Sequence, residues 1–227
     1  SEEELAITLS CGILRREDYR RLKEAGADRY LLRFETSDPK LHKRLRAGVE
    51  IERRLDALTD LKDLGFEVGS GFMVGLPGET DETRYENIML CKKLDLDMAG
   101  IGPFIPHPAT PLAGTEQSPI ELTIRCTAQL RIALPLANLP ATTGAGSLHP
   151  RGRELMLGAG ANVLMPNVSP VETKKDYELY PHKICVEEDG IECLSCLDLR
   201  VSSVNKRLSY EMGPSPSWAK RMMLHAS

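Results

Sequence analysis

The sequence predicts an α/β protein, a partial TIM-type (β/α) barrel of about six of eight units followed by a cysteine-bearing extension. Three observations predict it. Apolar, strand-like runs alternate with helix-period segments, which is the pattern of parallel βα units. The repeat is roughly 25–30 residues per unit, the spacing of such barrels. Strand-like runs end in polar or turn residues, and barrels of this kind gather ligands at the C-terminal ends of their strands.

The first strand-like run is 5–9 (LAITL), and a helix over 16–25 closes at Gly26. Residues 29–36 (RYLLRFET) follow: Tyr30, Leu31, Leu32 and Phe34 surround Arg33, and the run ends in Glu35 and Thr36. A charged pair inside a strand costs several kcal/mol unless something binds it, so this end has the character of a site rim. Over 51–64 the apolar residues Ile51, Leu55, Leu58, Leu61 and Leu64 form one helical face, and Gly65 stops the helix. The third run is 66–76 (FEVGSGFMVGL), after which Thr80 caps a helix reaching about Leu94. Residues 98–105 (MAGIGPFI), 138–143 (NLPATT) and 161–167 (ANVLMPN) complete six strands.

A full barrel takes about 250 residues, so six units predict a piece whose first two units are absent, leaving two unpaired edges. The start at Ser1–Glu4, directly before a strand, agrees with that expectation. The competing reading is a complete six-unit open α/β sheet. Residues 1–180 would be the barrel portion, and 181–227 the extension with a loosely held tail.

Net charge is −4, which offers no basic surface for nucleic acid. No apolar run approaches the ~20 residues of a membrane span. Six cysteines without a disulfide framework point to a reducing, cytoplasmic location. His42, His107 and His149 lie on separate segments and are expected in surface or capping roles rather than as metal ligands.

Five motifs in order, RYLLRFET, GFMVGLPG (71–78), GIGPFIPHPATP (100–111), PATTG (140–144) and GANVLMPN (160–167), resemble the HydE family of radical S-adenosylmethionine (SAM) enzymes. The resemblance runs from about Leu5 to Cys196. Biotin synthase and methylornithine synthase share the barrel and some of the motifs. It implies SAM as cofactor, a [4Fe–4S] cluster on a CxxxCxxC loop, a 5′-deoxyadenosyl radical, and a role in assembling the [FeFe]-hydrogenase active site. No CxxxCxxC occurs in the 227 residues, so this chain alone is expected to be inactive and the cluster to belong to a preceding segment.

By the same resemblance, Glu35 binds the SAM ribose, against a salt bridge to Arg33 or a capping role. Arg33 reaches the substrate or the methionine carboxylate, against a structural pairing with Glu35. Arg54 grips the SAM carboxylate, with Arg53 its rival by one position and a solvated arginine the plain alternative. Met73 packs near the nucleotide, Ile105 and Pro106 recognise adenine, and Gly69, Gly71 and Gly75 let backbone approach ligand. Thr8, Ser10, Met98, Thr142, Thr143, Met165 and Tyr180, with Tyr177 less favoured, fall at substrate positions; core packing or strand-end hydrogen bonds compete for each. The implied substrate is a small organometallic iron–cysteine complex carrying CO and cyanide, and other hydrogenase maturation proteins are implied partners.

Cys185, Cys193 and Cys196 form C-x7-C-x2-C, the spacing of the family's accessory iron–sulfur site, either [2Fe–2S] or [4Fe–4S]. His182 could instead complete a Cys3His zinc site, and free thiols are the third reading. Two functional alternatives remain: another radical SAM synthase acting on an amino acid or biotin precursor, and a non-catalytic barrel that only binds.

Overall fold

The computed structural model describes residues 5–174, 176, 180–184 and 190–225. Its frame is six parallel staves taken in chain order. β1 (Thr8–Leu9), β2 (Arg29–Leu31), β3 (Glu67–Ser70) and β5 (Met98–Ala99) form one sheet in the order β1-β2-β3-β5. Thr8 pairs with Arg29, Tyr30 with Val68, and Gly69 with Met98. Single parallel bridges, Met98 to Asn138 and Pro140 to Val163, add the fifth and sixth staves.

The strands are shorter than their apolar runs. The run 66–76 splits at Gly71 into β3 and β4 (Met73–Val74), and 98–105 splits into β5 and β6 (Gly102–Pro103). Gly71 has φ 148°, and a Cβ there would lie 1.9 Å from the Gly100 carbonyl oxygen. The two staves therefore touch backbone to backbone, with Gly100 N–H donating to the Ser70 carbonyl at 2.8 Å. The run 138–143 corrects likewise: Thr142 leaves the strand to cap a helix, and the fifth stave is reduced to its bridges.

Helices follow the predicted stripes. α1 (Arg16–Glu24) and α3 (Glu52–Asp63) cover the first staves, and α3 buries Ile51, Leu58 and Leu61 before Gly65 ends it at φ 80°. α2 (Pro39–Leu45) was not foreseen, although Asp38 caps it and Pro39 sits at its first turn. α4 (Asp81–Lys93) starts at Thr80, whose hydroxyl accepts from Thr83 N–H. α5 (Ile120–Ala133), α6 (Thr143–Leu148) and α7 (Gly152–Gly158) close the later units. The core between sheet and helices centres on Tyr19, Tyr30, Phe34, Phe66 and Phe72, with Tyr19 edge-on to Tyr30 at 5.1 Å.

The C-terminal segment is the main departure from expectation. After α8 (Val171–Lys174), α9 (Gly190–Ser202) packs on α7, burying Leu197 and Val201 and pairing Arg200 with Glu154 at 2.8 Å. α10 (Pro216–His225) and the turn before it dock beneath the staves and are not loosely held. Arg221 donates to both oxygens of Asp97, at 2.8 and 2.6 Å, and Asp97 is 0% exposed. Glu67, also buried, accepts from Arg29 at 2.6 Å and from Ser215 N–H at 2.8 Å. Arg29 and Asn138 donate further to the carbonyls of Met212 and Gly213. Gly213, Pro214 and Pro216 resemble disorder locally, yet Pro216 opens a helix and its neighbours satisfy carboxylates more than a hundred residues away. Among the described residues no helix is long and apolar enough to cross a membrane.

Breaking this clasp should cost what a buried, unpaired carboxylate costs. Arg221→Met is expected to lower stability by about 3 kcal/mol in urea unfolding followed by circular dichroism. Arg207→Ala, on the exposed neighbouring stretch, should move it by less than about 0.5 kcal/mol. Equal midpoints for Arg221→Met and the parent chain would show that the clasp bears no load.

Candidate functional site

The predicted site residues lie mostly at the C-terminal ends of the staves, and a charged cluster forms around Glu35. The second stave continues past β2 as Leu32 N–H donates to the Gly69 carbonyl and the Ser70 hydroxyl to that of Leu32. Glu35 N–H donates to the Gly71 carbonyl, and the Glu35 carbonyl accepts from Met73 N–H, both at 3.0 Å. These bonds bridge Glu35 to Phe72 and hold it at φ 71°, a conformation that few non-glycine residues adopt. Its side chain is only 11% exposed.

Three guanidinium groups surround that carboxylate. Arg46 donates to Oε1 at 2.7 Å. Arg33 lies 3.4 Å from Oε2 and donates to the Phe72 carbonyl at 2.6 Å. Arg54, in the first turn of α3, donates Nη1–H to the Arg33 carbonyl at 2.8 Å. Arg53 is exposed, so Arg54 is the arginine that turns inward. Burial, followed by the charge on Arg46, pushes the Arg54 pKa down from its usual value, while Glu35 opposes this. Behind them His42 is fully buried, which overturns its expected surface or capping role. It donates Nδ1–H to the Val49 carbonyl at 3.1 Å, and burial lowers its pKa, so the ring is neutral near pH 7. His107 and His149 cap turns, accepting from Ala109 and Arg151 N–H.

The other predicted residues divide. Leu31, Gly69 and Met98 share one face of their strands, and the Met98 methyl lies 2.9 Å from where a Gly69 Cβ would stand. Met73 packs with Leu41, Leu76 and Phe104 in a small cluster beside the mouth, while Ile105 and Pro106 are half-buried just after β6. Thr142 is committed to capping Ala145 N–H, and Thr143 accepts from Arg153 at 3.3 Å. The Ser10 hydroxyl donates to the Leu31 carbonyl at 3.0 Å, the strand-end bond that was its alternative reading. Thr8 is exposed on the edge strand, Met165 is 51% exposed and Tyr180 is half-buried. Tyr177 and Cys185 lie outside the described residues, as does the Cys193 side chain; Cys196 is exposed on α9. The glycines serve the chain rather than a ligand: the space above Gly71 holds Gly100, and that above Gly75 holds Ser118.

Arg46 and Glu79 escaped the sequence reading. Glu79 closes the turn after β4, accepting from Gly75 N–H at 2.7 Å and Arg84 at 2.9 Å, and burial raises its carboxyl pKa. A carboxylate next to GLPG was a visible signal; Arg46 offered none.

Orphaned buried atoms test what the site fits. Glu35 Oε2, Arg33 Nε and Arg54 Nε are buried without a hydrogen-bond partner among the described residues. An acceptor beside donors suits a ligand bearing hydroxyls and a carboxylate, which SAM carries. A [4Fe–4S] cluster does not fit: the sequence has no CxxxCxxC, and no described group of three His, Cys, Asp or Glu residues could hold a metal.

The family model of the radical SAM superfamily matches residues 1–91. The [FeFe] hydrogenase maturase subunit HydE of Thermotoga maritima is 47% identical over 209 residues, 92% of this chain and 60% of that protein. A 3-methylornithine synthase of Methanosarcina acetivorans is 27% identical over 177 residues, 77% of this chain and 50% of that protein. The chain thus spans half to three-fifths of these relatives. The crystal structure of a methylornithine synthase superposes with a TM-score of 0.75 over 97% of this chain and 61% of its own, at 23% identity.

Thiol environment gives a check on this packing. Burial pushes the Cys91 thiol far up and that of Cys126 to about 12, whereas Cys11 and Cys196 are exposed. Native iodoacetamide treatment, read by peptide mass mapping, should modify Cys11 and Cys196 and spare Cys91 and Cys126. Rapid labelling of Cys126 would contradict the burial of α5.

Proposed function

We propose, on the premise that this chain belongs to the radical SAM superfamily and within it to the HydE family, that it forms the SAM-orienting part of a hydrogenase maturase. The observation that carries this is the trio of unsatisfied buried atoms, Glu35 Oε2, Arg33 Nε and Arg54 Nε, at the C-terminal end of one stave. Each would cost about 1–3 kcal/mol if left unpaired in the working protein, so a ligand that satisfies all three gains that much in binding. In this reading Glu35 accepts the ribose hydroxyls and Arg54 takes the methionine carboxylate. Arg33 completes the carboxylate contact or meets the substrate. Met73, Ile105 and Pro106 line the nucleotide side.

Thr8, Ser10, Met98, Thr142, Thr143, Met165 and Tyr180 form the substrate side, for a small iron–cysteine complex of the kind the HydE resemblance implies. Bound SAM supplies the 5′-deoxyadenosyl group. This chain's own contribution is to hold the nucleotide by its ribose and carboxylate and to shield it with the half-buried apolar residues around Met73. The cluster-bearing loop would come from another segment of the protein. Cys185, Cys193 and Cys196 would hold an accessory iron–sulfur cluster on the extension, and a cytoplasmic location and contact with other maturation proteins belong to the same proposal.

Calorimetric titration tests the nucleotide site. The parent should bind SAM saturably; Glu35→Gln should weaken it by about 2 kcal/mol, roughly thirtyfold, and Arg54→Gln by a similar factor. Arg53→Gln should leave it unchanged. No saturable uptake by the parent, or equal uptake by the Glu35 variant, would defeat the reading. For the tail, anaerobic reconstitution with iron and sulfide should protect Cys196 from alkylation only while Cys185 and Cys193 are present.

A further inference from the structure

We propose that Arg46 is a positioning residue for Glu35, fixing which carboxylate oxygen is offered to a nucleoside's ribose hydroxyls; this rests on the nucleotide reading above. A carboxylate buried at a stave end needs a partner, yet must keep acceptor capacity for a ligand. Arg46 divides the two oxygens. Its guanidinium occupies Oε1 at 2.7 Å, within the range of a charge-assisted bond. Arg33 does not do the same for Oε2. It lies 3.4 Å away, beyond a good hydrogen bond, and is committed to the Phe72 carbonyl. Oε2 is therefore buried with no hydrogen bond among the described residues.

Arg46 is itself held by a short, well-tied segment. At the start of α2 the Asp38 carboxylate accepts from the N–H groups of Lys40 and Leu41. At its end Arg46 N–H donates to the His42 carbonyl at 2.9 Å, and Val49 N–H donates to that of Arg46 at 3.0 Å. Gly48, at φ 84°, permits the reversal. The buried ring of His42 donates to the Val49 carbonyl and pins the same turn from inside. Each tie acts on the backbone that carries Arg46, so α2 and its closing turn set the direction from which Glu35 is held. The arginine touches Glu35 and acts through it.

A pair of probes separates this from a merely structural role. Adenosine carries the ribose hydroxyls and 2′,3′-dideoxyadenosine lacks them, so the ratio of their affinities reads the Glu35 contact alone. Saturation-transfer NMR on the full chain should show Arg46→Gln binding adenosine about tenfold more weakly than the parent, with dideoxyadenosine unchanged. Arg46→Lys, which keeps one charged donor, should lose only about threefold and carries the test if the glutamine variant does not fold. Equal losses for both probes would make Arg46 structural and overturn the proposal, as would an unchanged ratio. A parent that binds SAM but does not prefer adenosine over its dideoxy analogue would also overturn it. A parent that binds none of the three would instead mark failure of the nucleotide reading itself.

Discussion

The site depends on a contact that a single methyl group would abolish. Gly71 sits with the Gly100 carbonyl in the space its Cβ would occupy, and its φ of 148° suits glycine alone. That approach lets the third stave lean on the fourth, pass through Phe72 and resume as β4. The same turn places the Gly71 carbonyl and Met73 N–H on either side of Glu35, and these two bonds hold Glu35 in its left-handed conformation. The left-handed backbone of Glu35 is thus supported from the next stave rather than from its own.

Charges at the two ends of the staves are treated in opposite ways. At the foot, Asp97 accepts from Val68 N–H, Ser217 and both arms of Arg221, and Glu67 from Arg29 and Ser215. Both carboxylates spend both oxygens. Such complete satisfaction is what a buried charge needs to avoid a net penalty. At the mouth, three guanidinium groups face one carboxylate, with atoms on Arg33, Arg54 and Glu35 that have no hydrogen-bond partner among the described residues. A fold able to build the first arrangement leaves the second incomplete only at a cost in stability, which a ligand can recover.

The helices and the inward arginine were legible in the sequence, and the reason is local. The Ile51-to-Leu64 stripe fixes which side of α3 is buried, and Arg54, which the family resemblance selects over Arg53, lies toward that side. Strand ends were harder to read. Gly71 and Gly100 sit inside apolar runs, where the pattern counts them as strand while their backbone interrupts it. His42, on a segment apart from His107 and His149, reads as a surface or capping residue, whereas α2 turns it and Leu41 inward. The tail was misjudged for a different reason. Its helix is held by Asp97 and Glu67, partners that no window of sequence contains together with it.

The split between mouth and foot also bears on the role proposed for this chain. In the proposed reading the charged groups that meet SAM come from the second stave and from α3, with the α2 turn holding Glu35, and these lie within residues 33–54. The CxxxCxxC motif of the radical SAM cluster is not among this chain's residues. In the proposed reading, nucleotide recognition and ligation of the radical SAM cluster would fall on different stretches of polypeptide. A ligand held through ribose and carboxylate is anchored at two points well separated along its length, which fixes its orientation before any third contact is made.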